Sequence, residues 1–98
     1  METKYETRSI LTADANSTVT VRTKSSGNDG ELGYLTVLAD SAHTIAFYDG
    51  DPTTNGTLIF TKPASLGVGT YWFKRPCKKG IYAVVANGYT GNSVVGFI

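Results

Sequence analysis

The chain contains one histidine and one cysteine, His43 and Cys77, its obvious candidates for nucleophilic chemistry. A thiol becomes a useful nucleophile when an imidazole lies within hydrogen-bond reach. More than thirty residues separate the two, and neither carries the flanking signature of a Cys–His enzyme. A turn histidine and a small packed thiol are therefore expected. Asp49-Gly50-Asp51, followed by Asn55-Gly56, sets oxygen donors at alternate positions, as a calcium loop requires. Asp49, Asp51 and Asn55 are the candidate metal ligands. The spacing departs from an EF-hand, the bidentate Glu is missing, and Asp, Asn and Gly are also ordinary turn formers. No metal or other cofactor is expected.

A third constellation joins aromatic and basic residues: Tyr71-Trp72-Phe73-Lys74-Arg75, with Lys78 and Lys79 just beyond Pro76-Cys77. Aromatic rings beside cations can stack single-stranded nucleic acid or sugar. Strand alternation places Trp72 and Lys74 on one face and Tyr71 and Phe73 on the other, so one aromatic pair belongs to a core. Exposed Trp72, Tyr89 and Tyr48 would be the rings of a carbohydrate-binding surface. The glycines form no phosphate-cradling motif. An enzyme is not expected, and the candidate interaction residues are Tyr5, Arg8, Trp72, Lys74 and Arg75.

Charge narrows the partners. The formal net charge is +1 and charged residues make up 17% of the chain, too weak a field to attract nucleic acid without a dedicated site. Sequence-specific nucleic-acid binding is not expected. No apolar run reaches the length of a membrane span, and the polar start shows no secretory h-region. A lone cysteine fits folding in a reducing cytosol.

These side chains need elements to hold them, and the periodicity is that of strands. Ser17–Lys24 alternates Val19, Val21 and Thr23 against threonines and basic residues. Gly33–Asp40 sets Leu35, Val37 and Ala39 against Tyr34, Thr36 and Leu38, and Thr44–Asp49 turns Ile45 and Phe47 inward. Thr57–Thr61 and Tyr71–Lys74 are shorter strands, the latter bounded by Pro76. Ile81–Ala86 and Ser93–Ile98, joined through Asn87–Asn92, suggest a terminal hairpin. Gly33–Asp40 and Gly80–Asn87 echo each other, and each precedes a turn and another strand. Seven or eight short strands, with turn signals every eight to twelve residues and no helical period, predict an all-β fold. The architecture expected is an antiparallel β-sandwich or jelly-roll-like small barrel. Residues 17–98 form its single domain, and residues 1–16 a possible N-terminal arm or edge strand.

Three stretches carry a resemblance: Gly33–Asp40, then Thr44–Gly50 running on to Gly56–Phe60, then Lys79–Asn87 with Val94–Ile98. The chain resembles the small all-β virion structural proteins of tailed bacteriophages, of the type that decorates or cements the capsid. The likeness covers about two-thirds of the chain. It implies a structural protein made in the host cytoplasm and located on the virion capsid surface. Its partners would be the major capsid protein and further copies of itself, as a trimer or dimer. A tail or head–tail junction component, or a carbohydrate- or host-surface-binding module, is the alternative.

Overall fold

The computed structural model describes residues 5–23 and 29–98; residues 1–4 of the N-terminal segment and 24–28 of the polar loop lie outside the described residues. Eight strands follow one another: β1 (Glu6–Ile10), β2 (Ser17–Arg22), β3 (Gly30–Ala39), β4 (Ile45–Asp49), β5 (Thr57–Lys62), β6 (Gly69–Cys77), β7 (Ile81–Val85) and β8 (Asn92–Phe97). A single 3-10 turn, Thr12–Asp14, joins β1 to β2. The strands make two four-stranded antiparallel sheets, sheet I in the order β1-β8-β3-β6 and sheet II in the order β2-β7-β4-β5.

The pairs β1–β8, β2–β7, β3–β6 and β4–β5 are those of one long hairpin folded back on itself. Rolling that hairpin adds β3–β8 and β4–β7 and closes a jelly-roll sandwich. The expected all-β sandwich is thus the fold. Its core follows the period of two. Val19, Val21, Leu35, Val37, Ile45 and Phe47 are buried as their alternation predicts, and Ile10, Leu32, Ile81, Ala83, Val85 and Val95 complete the interior.

The last two strands are not a hairpin. β7 lies in sheet II between β2 and β4, whereas β8 lies in sheet I between β1 and β3. Their connection spans the gap of roughly 10 Å between facing sheets instead of reversing within one. Tyr89 folds beneath this connection, 1% exposed. Burial raises the pKa of its phenol. This removes Tyr89 from the rings offered for surface stacking. The β3–β4 connection crosses between sheets in the same way. The two echoing segments are therefore two crossover units that pair with each other, and they supply both central strands of both sheets.

Two smaller corrections have local causes. β6 runs on through Pro76, which an edge strand tolerates because its outward side needs no donor. Ala39 is exposed instead of inward, because the register between β3 and β8 shifts between Val37 and Ala39.

Candidate interaction surfaces

The fold holds His43 and Cys77 apart. Cys77 pairs with Gly30 at the start of β3, while His43 follows the end of that strand, so roughly 30 Å of sheet separates them. Burial, with the nearby charge of Asp49, pushes the Cys77 thiol up to about 11, which keeps it protonated at neutral pH.

The oxygens of the 49–56 loop already have partners within the protein. Asp49 Oδ1 accepts the Lys79 backbone N–H at 2.8 Å. Asp51 Oδ1 accepts both the N–H and the hydroxyl of Thr53, at 2.9 and 2.7 Å, which holds its carboxyl below the usual value. The Lys79 ammonium donates to the Asn55 carbonyl at 2.6 Å and to Thr57 Oγ1 at 3.2 Å. Among the described residues no group of three His, Cys, Asp or Glu is placed to hold one ion.

The aromatic residues of the basic segment divide as alternation requires. Tyr71 and Phe73 pack against the core. Phe73 lies 4.8 Å, ring to ring, from Phe60. Trp72 stands on the outer face of sheet I, 57% exposed. It contacts Tyr34, its partner across the β3–β6 ladder, at 4.9 Å between ring centroids, and Tyr5 at 6.0 Å. Lys74 Nζ lies 5.6 Å from the Trp72 ring centroid, within cation–π range.

Glycine makes this cluster possible. The Tyr34 ring lies against Gly96 and the Tyr5 ring against Gly33, so closely that a Cβ at either glycine would collide with the ring. Tyr5 donates its hydroxyl to Glu31, and that hydrogen bond raises the Tyr5 pKa.

Among the described residues, the face between this cluster and the β3–β4 end is uncharged. The next row pairs Thr36 with Thr70, their hydroxyls 2.9 Å apart. Beyond it stands Leu38, 54% exposed, and Val68, 69% exposed, lies in the bend just before β6. Glu31 and Lys74 mark the end of the face where β3 begins and β6 finishes.

Three of the five candidate residues, Tyr5, Trp72 and Lys74, therefore meet on one surface. Arg8 does not join them. It shares the inward side of β1 with Ile10 and pairs with Asp14 at 3.6 Å. Arg75 is exposed opposite Leu32 at the end of the ladder. Tyr34, Thr36 and Leu38 were not singled out from the sequence. Their shared parity was legible, but only the β3–β6 register sets that parity beside Trp72. Tyr48 is half-buried on the outer side of sheet II, opposite Tyr82.

No family model, curated protein or solved structure matches this chain.

A second surface is the end of the sandwich formed by the β1–β2, β3–β4, β5–β6 and β7–β8 connections. Lys62 ends β5 with its side chain fully buried. Its ammonium donates to the carbonyls of Ser41, His43 and Pro63 at 3.1, 3.2 and 3.0 Å, and meets Asp40 Oδ1 at 3.1 Å. Asp40 in turn accepts the Gly67 N–H through Oδ2 at 2.8 Å and the Ser41 N–H through Oδ1 at 2.8 Å. Partial burial works to raise the Asp40 pKa, but the Gly67 N–H, Lys62 and the Ser41 N–H outweigh it and leave the carboxyl below its usual value.

One buried ammonium thus ties two loops together, and backbone bonds add the others. Ser65 N–H donates to Ser41 O, Ala86 N–H to Thr44 O, and Asn16 N–H to Ala86 O. Among the described residues the charged groups at this end are two ion pairs, Arg8–Asp14 and Lys62–Asp40. The remaining described charges lie toward the opposite end of the sandwich, near the 49–56 loop and Lys78–Lys79. Among the described residues, then, the full charges of the loop end are paired with one another, and the rest gather at the opposite end.

Proposed function

We propose that this protein is a structural component of a tailed-bacteriophage virion, a capsid decoration or cement protein that binds the assembled shell and stabilises it. The observation that carries this reading is the loop end pinned by Lys62. Among the described residues the full charges of this surface are already partnered in two intramolecular ion pairs, the exposed Arg8–Asp14 and the buried Lys62–Asp40, so another protein can cover it without stranding one of these charges, which is the costly event at an interface. Loops already fixed by hydrogen bonds lose little conformational freedom on docking, so more of the contact energy remains as affinity. The resemblance over residues 33–98 supplies the kind of partner, and the jelly-roll winding suits a rigid brick. Binding of this kind favours the assembled shell by mass action, because the free subunit offers only part of the contact.

The test uses particles of the phage that encodes the chain. Purified protein should co-sediment with assembled shells and not with unassembled capsid subunit, and virions should carry it at a copy number comparable to that subunit. Its absence from virions would overturn the proposal. Immunogold labelling concentrated at the tail or the neck, instead of over the shell, would move the protein to the head–tail junction or tail. The exposed Trp72 ring beside the Thr36 and Thr70 hydroxyls favours carbohydrate as the second reading, and a glycan array reports on it directly.

A further inference from the structure

Among the large apolar side chains that the described residues leave exposed, Leu11, Leu38 and Val68 come from distant parts of the chain and share one rim. The register of sheet I brings them together. Ser93 pairs with Ile10 on one side and with Val37 on the other, and Val37 pairs with Gly69, so one row crosses all four strands. Ile10, Ser93 and Val37 in that row are fully buried. One residue further toward the loop end stand Leu11 after β1, Leu38 in β3 and Val68 in the bend before β6. Leu11 keeps the extended path of β1, with φ −120° and ψ 175°, and alternation turns it away from the core that holds Ile10. At about 4.8 Å between strands, the three positions span roughly 15 Å along the edge where sheet I meets the loop end.

Each stands on fixed backbone. Leu11 donates its N–H to Asp14 Oδ2 and accepts the Asp14 N–H through its carbonyl, both at 2.9 Å. Val68 follows Gly67, whose N–H donates to Asp40 Oδ2 at 2.8 Å and whose carbonyl accepts the Tyr71 hydroxyl at 2.9 Å. Leu38 precedes by two residues the Asp40 that Lys62 holds. Side chains offered on ordered backbone lose little freedom when they are covered. Exposed leucines and valines scattered singly are ordinary, but aligned along one rim they mark a contact surface.

The surroundings select the chemistry of the partner. The carboxylates bonded to these segments, Asp14 and Asp40, are already paired with Arg8 and Lys62. A charged partner group would surrender its hydration here without gaining a counter-ion, whereas an apolar one gains burial. The rim is continuous with the loop end: Leu11 opens the β1–β2 connection, Leu38 lies just before the β3–β4 connection, and Val68 closes the β5–β6 connection.

We propose, on the basis of the shell-binding reading, that Leu11, Leu38 and Val68 are the contact through which this chain grips an apolar, uncharged strip of the assembled shell.

Co-sedimentation of the purified chain with shells of the phage that encodes it tests the contact. Leu38→Asp and Val68→Asp each put a carboxylate on the rim at an exposed position, so the far-UV CD and the melting midpoint should stay close to those of the wild type. Each should weaken shell binding by about tenfold or more. Leu58→Asp changes a comparably exposed leucine next to the 49–56 loop at the opposite end, and it should bind as the wild type does. Wild-type binding should change by less than about twofold between roughly 50 and 500 mM NaCl, because no charge pair is there to be screened. Folded Leu38→Asp and Val68→Asp chains that bind normally, an equal loss in Leu58→Asp, or a large loss of wild-type binding at high salt would overturn this contact and leave shell binding standing. A wild type that never co-sediments would overturn both. Self-association of the wild type that Leu38→Asp abolishes would give the rim to a second copy and overturn the proposal as well.

Discussion

Replacing Lys62 with Met keeps the apolar stem and removes the ammonium, which isolates what the charge contributes. Four oxygens lose their donor or counter-ion. They are not equal losses. Ser41 O keeps the Ser65 N–H, and Asp40 keeps the N–H groups of Ser41 and Gly67 and touches solvent. The carbonyls of His43 and Pro63 have this ammonium as their donor, and each unsatisfied acceptor costs about 1–3 kcal/mol. With the lost ion pair, the expected destabilisation is about 4 kcal/mol, within the range for removing one partner of a buried pair. A domain of this length has an unfolding entropy of about 0.2 kcal/mol/K near its midpoint, so the midpoint should fall by about 20 °C. Thermal unfolding followed by CD reads this directly. A fall of less than about 5 °C would mean that water enters the site and replaces the ammonium, and the loop end would then not be pinned by Lys62.

The remaining predictions follow from other groups. Asp40 and Asp51 both have folded pKa values below the ordinary carboxylate value, so their stabilisation is complete above about pH 4 and is lost as pH falls through the folded values; the acid unfolding midpoint of Lys62→Met should move to higher pH than that of the wild type. Val85→Asp places a carboxylate in the core and should unfold the chain, whereas Val84→Asp, on the outer side of sheet II, should cost about 1 kcal/mol or less by urea titration. Gly96→Ala should drive the Tyr34 ring off its seat, at a cost of about 1–3 kcal/mol, and change the near-UV CD of the Tyr5–Tyr34–Trp72 cluster. Cys77 should resist a thiol reagent in buffer and react promptly in urea; prompt reaction in buffer would show that the end of β6 opens without global unfolding.

The sequence by itself determined which side of most strands faces inward, Ala39 excepted. Val19, Val21, Leu35, Val37, Ile45 and Phe47 announce their side because a strand alternates with a period of two, and a buried sheet face leaves no freedom to slip by one residue. The same rule separated Trp72 and Lys74 from Tyr71 and Phe73 before any pairing was known. Turn composition likewise placed the connection after Ala86. It did not say whether that connection closes a hairpin or crosses to the facing sheet, since both use the same flexible residues. Only the tertiary structure decided that, by pairing β8 with β1 and β3, and β7 with β2 and β4. It also decided that Tyr89 plugs an end instead of stacking on a surface, and that Lys62 is an internal ammonium. It brought Tyr34, Thr36 and Leu38 beside Trp72 across more than thirty residues of chain. Burial depends on local alternation and is written into each segment. Adjacency depends on partners far along the chain, which no local pattern encodes.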